Sequence, residues 1–344
     1  MTEAHFFHIA KGGTLTQATS LENAMDLMKA GGYVWLDYYQ PQKEDLSLLV
    51  KPLGLHPLSI EDCIDENQIP KIDDYPRNTF ILFNAFHTSQ GILSVSEVDA
   101  FLGRNFLVTV SNHNSLNQSI LNNIQRSIGN ESESARQGPA FLLHIILDQV
   151  VDEKFLAIEA LEEKLNDGEE MILSNLERFS PAELMHLRRD LLAVRKSLFH
   201  EREVLVKICR KDSPFIPEKA IFLYRDIYDH LSKFFELTES YRDLVTSLME
   251  MYLSMLNNQM TKAANDTNII VRRLTLITTI FMPLTLLAGI GGMSEWSMMT
   301  GPQNWRIAYP AFLLALVLLG VLNYYFLKRI EKRRRLKTRR GKED

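Results

Sequence analysis

The sequence predicts an α+β membrane protein: an N-terminal cytosolic α/β domain, a long helical stalk or funnel, and two C-terminal transmembrane helices. Three observations carry this. Short aromatic and β-branched runs alternate with helical ones over residues 1–135, helical patterning fills residues 136–270, and two uncharged apolar stretches follow. At 344 residues the chain has room for about two domains.

In the first segment the best strands are Tyr33-Val34-Trp35-Leu36-Asp37, Thr79-Phe80-Ile81-Leu82-Phe83, Val98-Asp99-Ala100-Phe101-Leu102 and Phe106-Leu107-Val108-Thr109-Val110, punctuated by Gly91, Gly103 and Asn105. Helices are expected to begin near Leu21, Pro57 and Leu116, and Asn130-Glu131-Ser132-Glu133-Ser134 reads as a linker. Cys63 and Cys209, the only cysteines, are far apart, which argues against a disulfide framework and for a reducing compartment. Met1-Thr2-Glu3-Ala4-His5 has neither a basic n-region nor an apolar run, so no signal peptide is expected there.

After Pro139 the pattern is helical, with breaks expected at Asp167-Gly168, Ser180-Pro181 and Asp212-Ser213-Pro214. From about Glu218 no Pro or Gly interrupts the chain until Pro283. One helix from Glu218 to Gly289 would be about 108 Å long. It needs neighbours, and Leu237, Tyr241, Leu244, Leu248, Met251 and Met255 recur at three- and four-residue spacings that suit helix packing and oligomerisation.

The stretches 274–290 and 307–327 carry no charge and are each about a bilayer thick. Their expected spans are 271–291 and 307–327, joined by a short external loop over 292–306. The tail, residues 328–344, holds ten basic and three acidic residues, whereas the loop holds only Glu295 and Arg306. The positive-inside rule then places both termini in the cytoplasm. The body ahead of the membrane is acidic, which disfavours nucleic acid and suits cations.

Along the first span Val271, Thr275, Thr278, Met282, Thr285 and Gly289 recur every 3.5 residues or so, a small, hydroxyl-rich stripe. Such a stripe either packs closely against a helix or lines a polar path. Pro283 lacks a backbone donor and leaves the carbonyl of Thr279 without its helical partner, which a membrane tolerates where the carbonyl lines a cavity.

These residues resemble the CorA and ZntB family of two-helix divalent-cation transporters over nearly the whole chain. Leu55-His56-Pro57-Leu58-Ser59-Ile60-Glu61-Asp62-Cys63 and Gln68-Ile69-Pro70-Lys71-Ile72 are similar to its HPL-x-x-ED and Q-x-PK segment. Arg225-Asp226-Ile227-Tyr228-Asp229-His230 resembles its stalk motif, and Asn268, Leu274 and Phe281-Met282-Pro283-Leu284-Thr285-Leu286 resemble its pore helix. The resemblance implies a homopentamer in a bacterial-type inner (plasma) membrane, with five first helices around the pore. It implies that Asn268, Leu274, Met282, Thr285 and Gly289 face the path, Leu274 and Met282 as apolar constrictions. Of these, Met282, Thr285 and Gly289 belong to the stripe. It also implies intersubunit regulatory cation sites, for which Asp226 and Glu250 match the family's acids, and carboxylates suit the hard Mg²⁺ ion.

The family's Gly-Met-Asn signature at the outer mouth stands here as Gly292-Met293-Ser294, with Glu295 directly after it. Ser is shorter than Asn and would widen the ring, while five copies of Glu295 would concentrate cations. Between Ser254 and Asn268 the chain is about seven residues longer than the family pattern, two helical turns, so Asn257 or Asp266 would be candidates for the height of Glu250.

The expected function is passive, potential-driven divalent-cation transport, with Mg²⁺ first, Co²⁺ and Ni²⁺ beside it, and Zn²⁺ as the alternative. The cation is substrate and gating ligand, and no cofactor is expected. A non-conducting membrane sensor or scaffold fits the architecture, but the basic tail is short for an output domain. An enzyme is not expected: His56 near Glu61 and Asp62, or His230 near Asp226 and Asp229, lacks an accompanying nucleophile or phosphate loop.

Overall fold

The computed structural model describes residues 3–65, 68–89, 92–111, 135–291, 301 and 304–340. The expected helix near Leu116, the linker over 130–134 and the mouth residues Gly292, Met293, Ser294 and Glu295 lie outside them. The chain divides into two compact units, Met1–Leu253 and Ser254–Asp344.

The first unit opens with β1 (Glu3–Ile9), β2 (Leu15–Gln17), α1 (Leu21–Ala30) and β3 (Tyr33–Tyr39), followed by three short helices, α2 (Lys43–Ser47), α3 (Val50–Leu53) and α4 (Pro57–Ile64). Then come β4 (Lys71–Asp74), the long hairpin β5 (Asn78–Ser89) and β6 (Ile92–Gly103), and β7 (Phe106–Ser111). The sheet runs β2-β1-β3-β7-β6-β5-β4, and only β3 and β7 pair in parallel. Lying centrally and covered on both faces, β3 is buried almost throughout and shows no polar alternation. Val34, Leu36, Phe80, Leu82, Phe101 and Val108 meet Ala24, Leu46, Leu53 and Ile60 of the small helices in one core.

The opposite face is covered by α5 (Pro139–Ser174), whose Phe141, Leu142, Ile146 and Val150 are buried and which packs on β5, β6 and β7. The break expected at Asp167-Gly168 does not occur, because α5 runs on to Ser174. A helical glycine loses only about 1 kcal/mol against alanine, while Leu165 and Ile172 on either side are buried. Helix α6 (Pro181–Cys209) starts where expected, with Ser180 at its N-cap and Pro181 in its first turn, and ends before Asp212-Ser213-Pro214.

Beneath the sheet, Glu201 of α6 accepts from Lys154 Nζ (2.5 Å), from the Asn84 backbone N–H (2.9 Å) and from the Ser197 hydroxyl (3.3 Å). A 3₁₀ turn at Glu218–Ala220 leads into α7 (Ile221–Gly291), which continues into the second unit through Pro283 without interruption. In the first unit α7 buries Tyr224, Ile227, Leu231, Val245 and Leu248. Of the apolar positions singled out from sequence, Leu248 is buried and Leu244 is exposed.

The second unit contains the rest of α7 and α8 (Trp305–Arg340). Both are long and apolar enough to cross a membrane over stretches ending at Ile290 and beginning at Arg306. Leu276, Ile280, Leu284 and Leu287 of α7 are half-buried, at spacings of four, four and three. Ala308, Phe312, Leu316, Gly320, Asn323 and Leu327 of α8 show the matching periodicity. These faces make the helical pair, and a Cβ built on Gly320 would stand 3.3 Å from Leu284 Cδ1. All other described side chains of the two spans are exposed.

Candidate conduction face and cation-binding residues

At about 100° per residue, the stripe Val271, Thr275, Thr278, Met282, Thr285 and Gly289 lies roughly opposite the half-buried leucine face of α7. Every member is exposed, Met282 at 71 %. A shallow concavity runs along it, lined by Thr278, Met282, Thr285 and Gly289 with Phe281, Leu286 and Ile290 at its rim. At Gly289 a Cβ would meet nothing within 4 Å. Leu274, 64 % exposed, and Asn268 lie on the exposed flank but outside the concavity.

The stripe's hydroxyls are chemically committed. Thr275, Thr278 and Thr285 donate to the carbonyls of Val271 (2.8 Å), Leu274 (2.5 Å) and Phe281 (2.8 Å) one turn earlier. A hydroxyl has one proton and two lone pairs, so the spent proton leaves each Thr oxygen as an acceptor toward the groove. Acceptors suit the water shell of a metal cation, whose hydrogens point outward.

The carbonyl of Thr279 is not left to a cavity. Asn323 Nδ2 of α8 donates to it at 3.3 Å, while the Thr279 hydroxyl donates to the Thr275 carbonyl at 2.7 Å. Sequence reading missed Asn323, although a single amide inside an otherwise apolar span was the available signal.

Asp226 and Glu250 are exposed on α7 and make no hydrogen bond or ion pair among the described residues. No group of three or more His, Cys, Asp or Glu side chains among the described residues is disposed to hold a metal ion. The two motif segments of the first unit are instead joined to one another, Lys71 Nζ reaching Asp62 at 2.7 Å. His56 caps α4, its Nδ1 accepting from the Leu58 N–H at 3.2 Å, and stacks on Tyr75 at 4.8 Å. Both roles are structural. Next to Asp62, Cys63 hydrogen-bonds Asp99, which burial, with help from the charges of Glu97 and Asp62, pushes up to about 8.

The sequence profile of the family described as CorA-like Mg2+ transporter protein matches residues 30–329. The chain belongs to that family. YfjQ of Bacillus subtilis is 32 % identical over 299 residues, covering 86 % of this chain and 89 % of its own. The cobalt/magnesium transport protein CorA of Thermotoga maritima is 27 % identical over 318 residues, 91 % and 87 % of the two chains. The complete structure of the CorA magnesium transporter from Methanocaldococcus jannaschii superimposes with a TM-score of 0.69 at 23 % identity, covering 95 % and 97 % of the two chains, and so shares the fold. As a member of the CorA family the chain is a membrane ion transporter and not an enzyme.

Proposed function

We propose that this chain forms a channel-type transporter for Mg²⁺, with Co²⁺ and Ni²⁺ as further substrates, driven inward by the membrane potential. The observation that carries the proposal is the stripe on α7. It lies opposite the face that packs on α8, so several copies arranged with α8 outside would turn Thr278, Met282, Thr285 and Gly289 toward a common axis. Family membership supplies the ion class, and the acceptor-only hydroxyls suit a hydrated cation.

In this reading the assembly is a homopentamer in an inner (plasma) membrane, and the basic tail supports a cytoplasmic side for both termini. A potential of 100 mV supplies about 2.3 kcal/mol per charge, ample for a divalent ion. Asn268 and Leu274 continue the path inward, Leu274 and Met282 narrowing it. Gly292, Met293, Ser294 and Glu295 form the outer mouth, where Ser294 leaves a wider opening than the family's Asn and Glu295 gathers cations. Asp226 and Glu250 take regulatory cations together with carboxylates of a neighbouring subunit, since among the described residues of one chain no group of three or more candidate ligands comes together. Zn²⁺ is the alternative substrate.

The test is uptake of Mg²⁺, Co²⁺, Ni²⁺ and Zn²⁺ by the purified protein in liposomes under an imposed inward potential, alongside subunit counting by native mass spectrometry. Potential-dependent Mg²⁺ uptake by a pentamer is expected. Absence of flux for all four ions sinks the reading, and flux of Zn²⁺ alone replaces the substrate.

A further inference from the structure

We propose that Asn323 is a positioning residue for the stripe-bearing helix: from α8 it supplies the hydrogen bond that Pro283 removes from Thr279, and so fixes the rotation of α7 at its weakest point. The inference rests on the reading of α7 as the pore helix for its effect on flux, but not for the bond itself.

Proline has no N–H, so the carbonyl four residues earlier, that of Thr279, loses its helical donor. Thr279 lies about 8 Å of helix rise inside the apolar stretch that begins at Leu274. No water is available in hydrocarbon to satisfy it, and an unpaired backbone group there costs several kcal/mol. The Thr279 hydroxyl cannot answer the need, since it already donates to Thr275 one turn back. Pro310 of α8 poses no such problem, because the carbonyl four residues before it is that of Arg306, at the end of the span.

Asn323 is the complementary liability. An amide within the apolar stretch of α8 is unfavourable toward lipid, and it sits on the half-buried face with Leu316, Gly320 and Leu327. Its Nδ2 reaches the Thr279 carbonyl at 3.3 Å. Three residues earlier Gly320 leaves the two helices room at Leu284, where a Cβ would stand a tight 3.3 Å from Cδ1. Each group thus removes the other's penalty.

Position gives the bond its consequence. Pro283 follows Met282 and precedes Thr285 by two residues, so the helical ladder is interrupted between the Thr278 and Gly289 ends of the groove. With one backbone bond missing, the helical ladder restrains the segment beyond Pro283 less firmly against the segment before it. A fixed bond from α8 at that level sets how Met282 and Thr285 are directed. Freed of it, the two segments would present a different lining to the ion.

The experiment has two independent arms on the full-length protein in liposomes. Solid-state NMR with ¹³C-carbonyl threonine and ¹⁵N side-chain asparagine should show a Thr279 to Asn323 dipolar contact that disappears in Asn323→Leu; its absence in the unmutated protein overturns the inference whatever the flux. The second arm compares Mg²⁺ and Co²⁺ uptake for Asn323→Leu, Pro283→Ala and the double variant. Asn323→Leu should shift the Co²⁺ to Mg²⁺ flux ratio at least threefold, since a loss of folded protein would scale both fluxes together. On the Pro283→Ala background, where an N–H is returned to Thr279, the same substitution should shift the ratio less than 1.5-fold. An unchanged ratio in Asn323→Leu, or an equal shift on both backgrounds, overturns the positioning role. If Asn323→Leu does not assemble, the NMR contact decides alone. A protein without any flux, yet with the contact, disproves the transport reading and leaves the bond standing.

Discussion

Lys154 Nζ lies 2.5 Å from Glu201 Oε1, and neither side chain has any solvent exposure. The pair ties α5 to α6 directly beneath β5, with the ammonium 5.1 Å and 5.3 Å from the ring centres of Phe83 and Phe86. Burial lowers the Lys154 pKa and raises that of Glu201, while each partner's charge opposes the shift. Removing one partner leaves the other buried and uncompensated, at about 3–5 kcal/mol. Lys154→Met and Glu201→Leu should each lower the unfolding midpoint strongly, and the double variant should recover most of the loss. Denaturant unfolding of the four proteins in detergent checks this; additive losses would show that the two side chains act separately.

Asp99 makes stability depend on pH with a definite sign. Its carboxyl titrates near 8 in the folded chain and near 4 when unfolded. Below about pH 4 both states hold the proton, and between about 4 and 8 only the folded state does. The stability that Asp99 contributes therefore falls as pH rises through that window and levels off above it. Asp99→Asn cannot ionise, so the variant should gain on the unmutated protein steadily from pH 5 to pH 8. Parallel melting curves across that range would exclude this role.

The two hydroxyls of the groove should matter for flux more than for folding. Thr278→Val and Thr285→Val keep shape but replace the outward oxygen with a methyl. Each should reduce Mg²⁺ uptake in liposomes about tenfold with a melting temperature within a few degrees of the unmutated protein. Uptake unchanged in both variants would remove the stripe from the path.

At the proposed mouth, Glu295→Gln should lower Mg²⁺ uptake more than Ser294→Ala, because a ring of carboxylates concentrates cations where a hydroxyl merely orients their water. Ser294→Asn should favour Mg²⁺ over Co²⁺. Equal small effects of Glu295→Gln and Ser294→Ala would place Glu295 outside the ion's route.

Asp226→Asn and Glu250→Gln test regulation. Millimolar Mg²⁺ should protect the unmutated protein from limited proteolysis and slow uptake when placed on the tail side. The double variant should lose both responses. Retained protection in it would assign the regulatory ligands elsewhere, Asn257 and Asp266 being next along α7.

The parts of this structure readable in the sequence are those with a period. The four strands announce themselves by aromatic and β-branched runs, the apolar spans by their lack of charge and the threonine stripe by its 3.5-residue spacing, and all emerge as elements or as one face of an element. Strand β1 was not anticipated, since its polar start hides the pairing with β3 that places Phe7 against Trp35. Gly168 misled because its local preference was outweighed by the packing around it. Tertiary pairings of lone polar residues were the least legible: Lys154 with Glu201, Cys63 with Asp99 and Asn323 with Thr279 join different elements, at separations that no local period marks. Only Pro283 gave notice, by showing that some group would have to answer Thr279.

The committed threonine protons carry a consequence for the sign of the permeating charge. A chloride ion solvates by accepting hydrogen bonds, and at Thr275, Thr278 and Thr285 it would meet oxygen lone pairs with no hydrogen to offer. In the proposed path these oxygens would therefore disfavour anions by a means that needs no titrating group, in addition to the charge of Glu295. The hydroxyls' discrimination by sign should survive changes of pH and of ionic strength that would blunt a ring of acids.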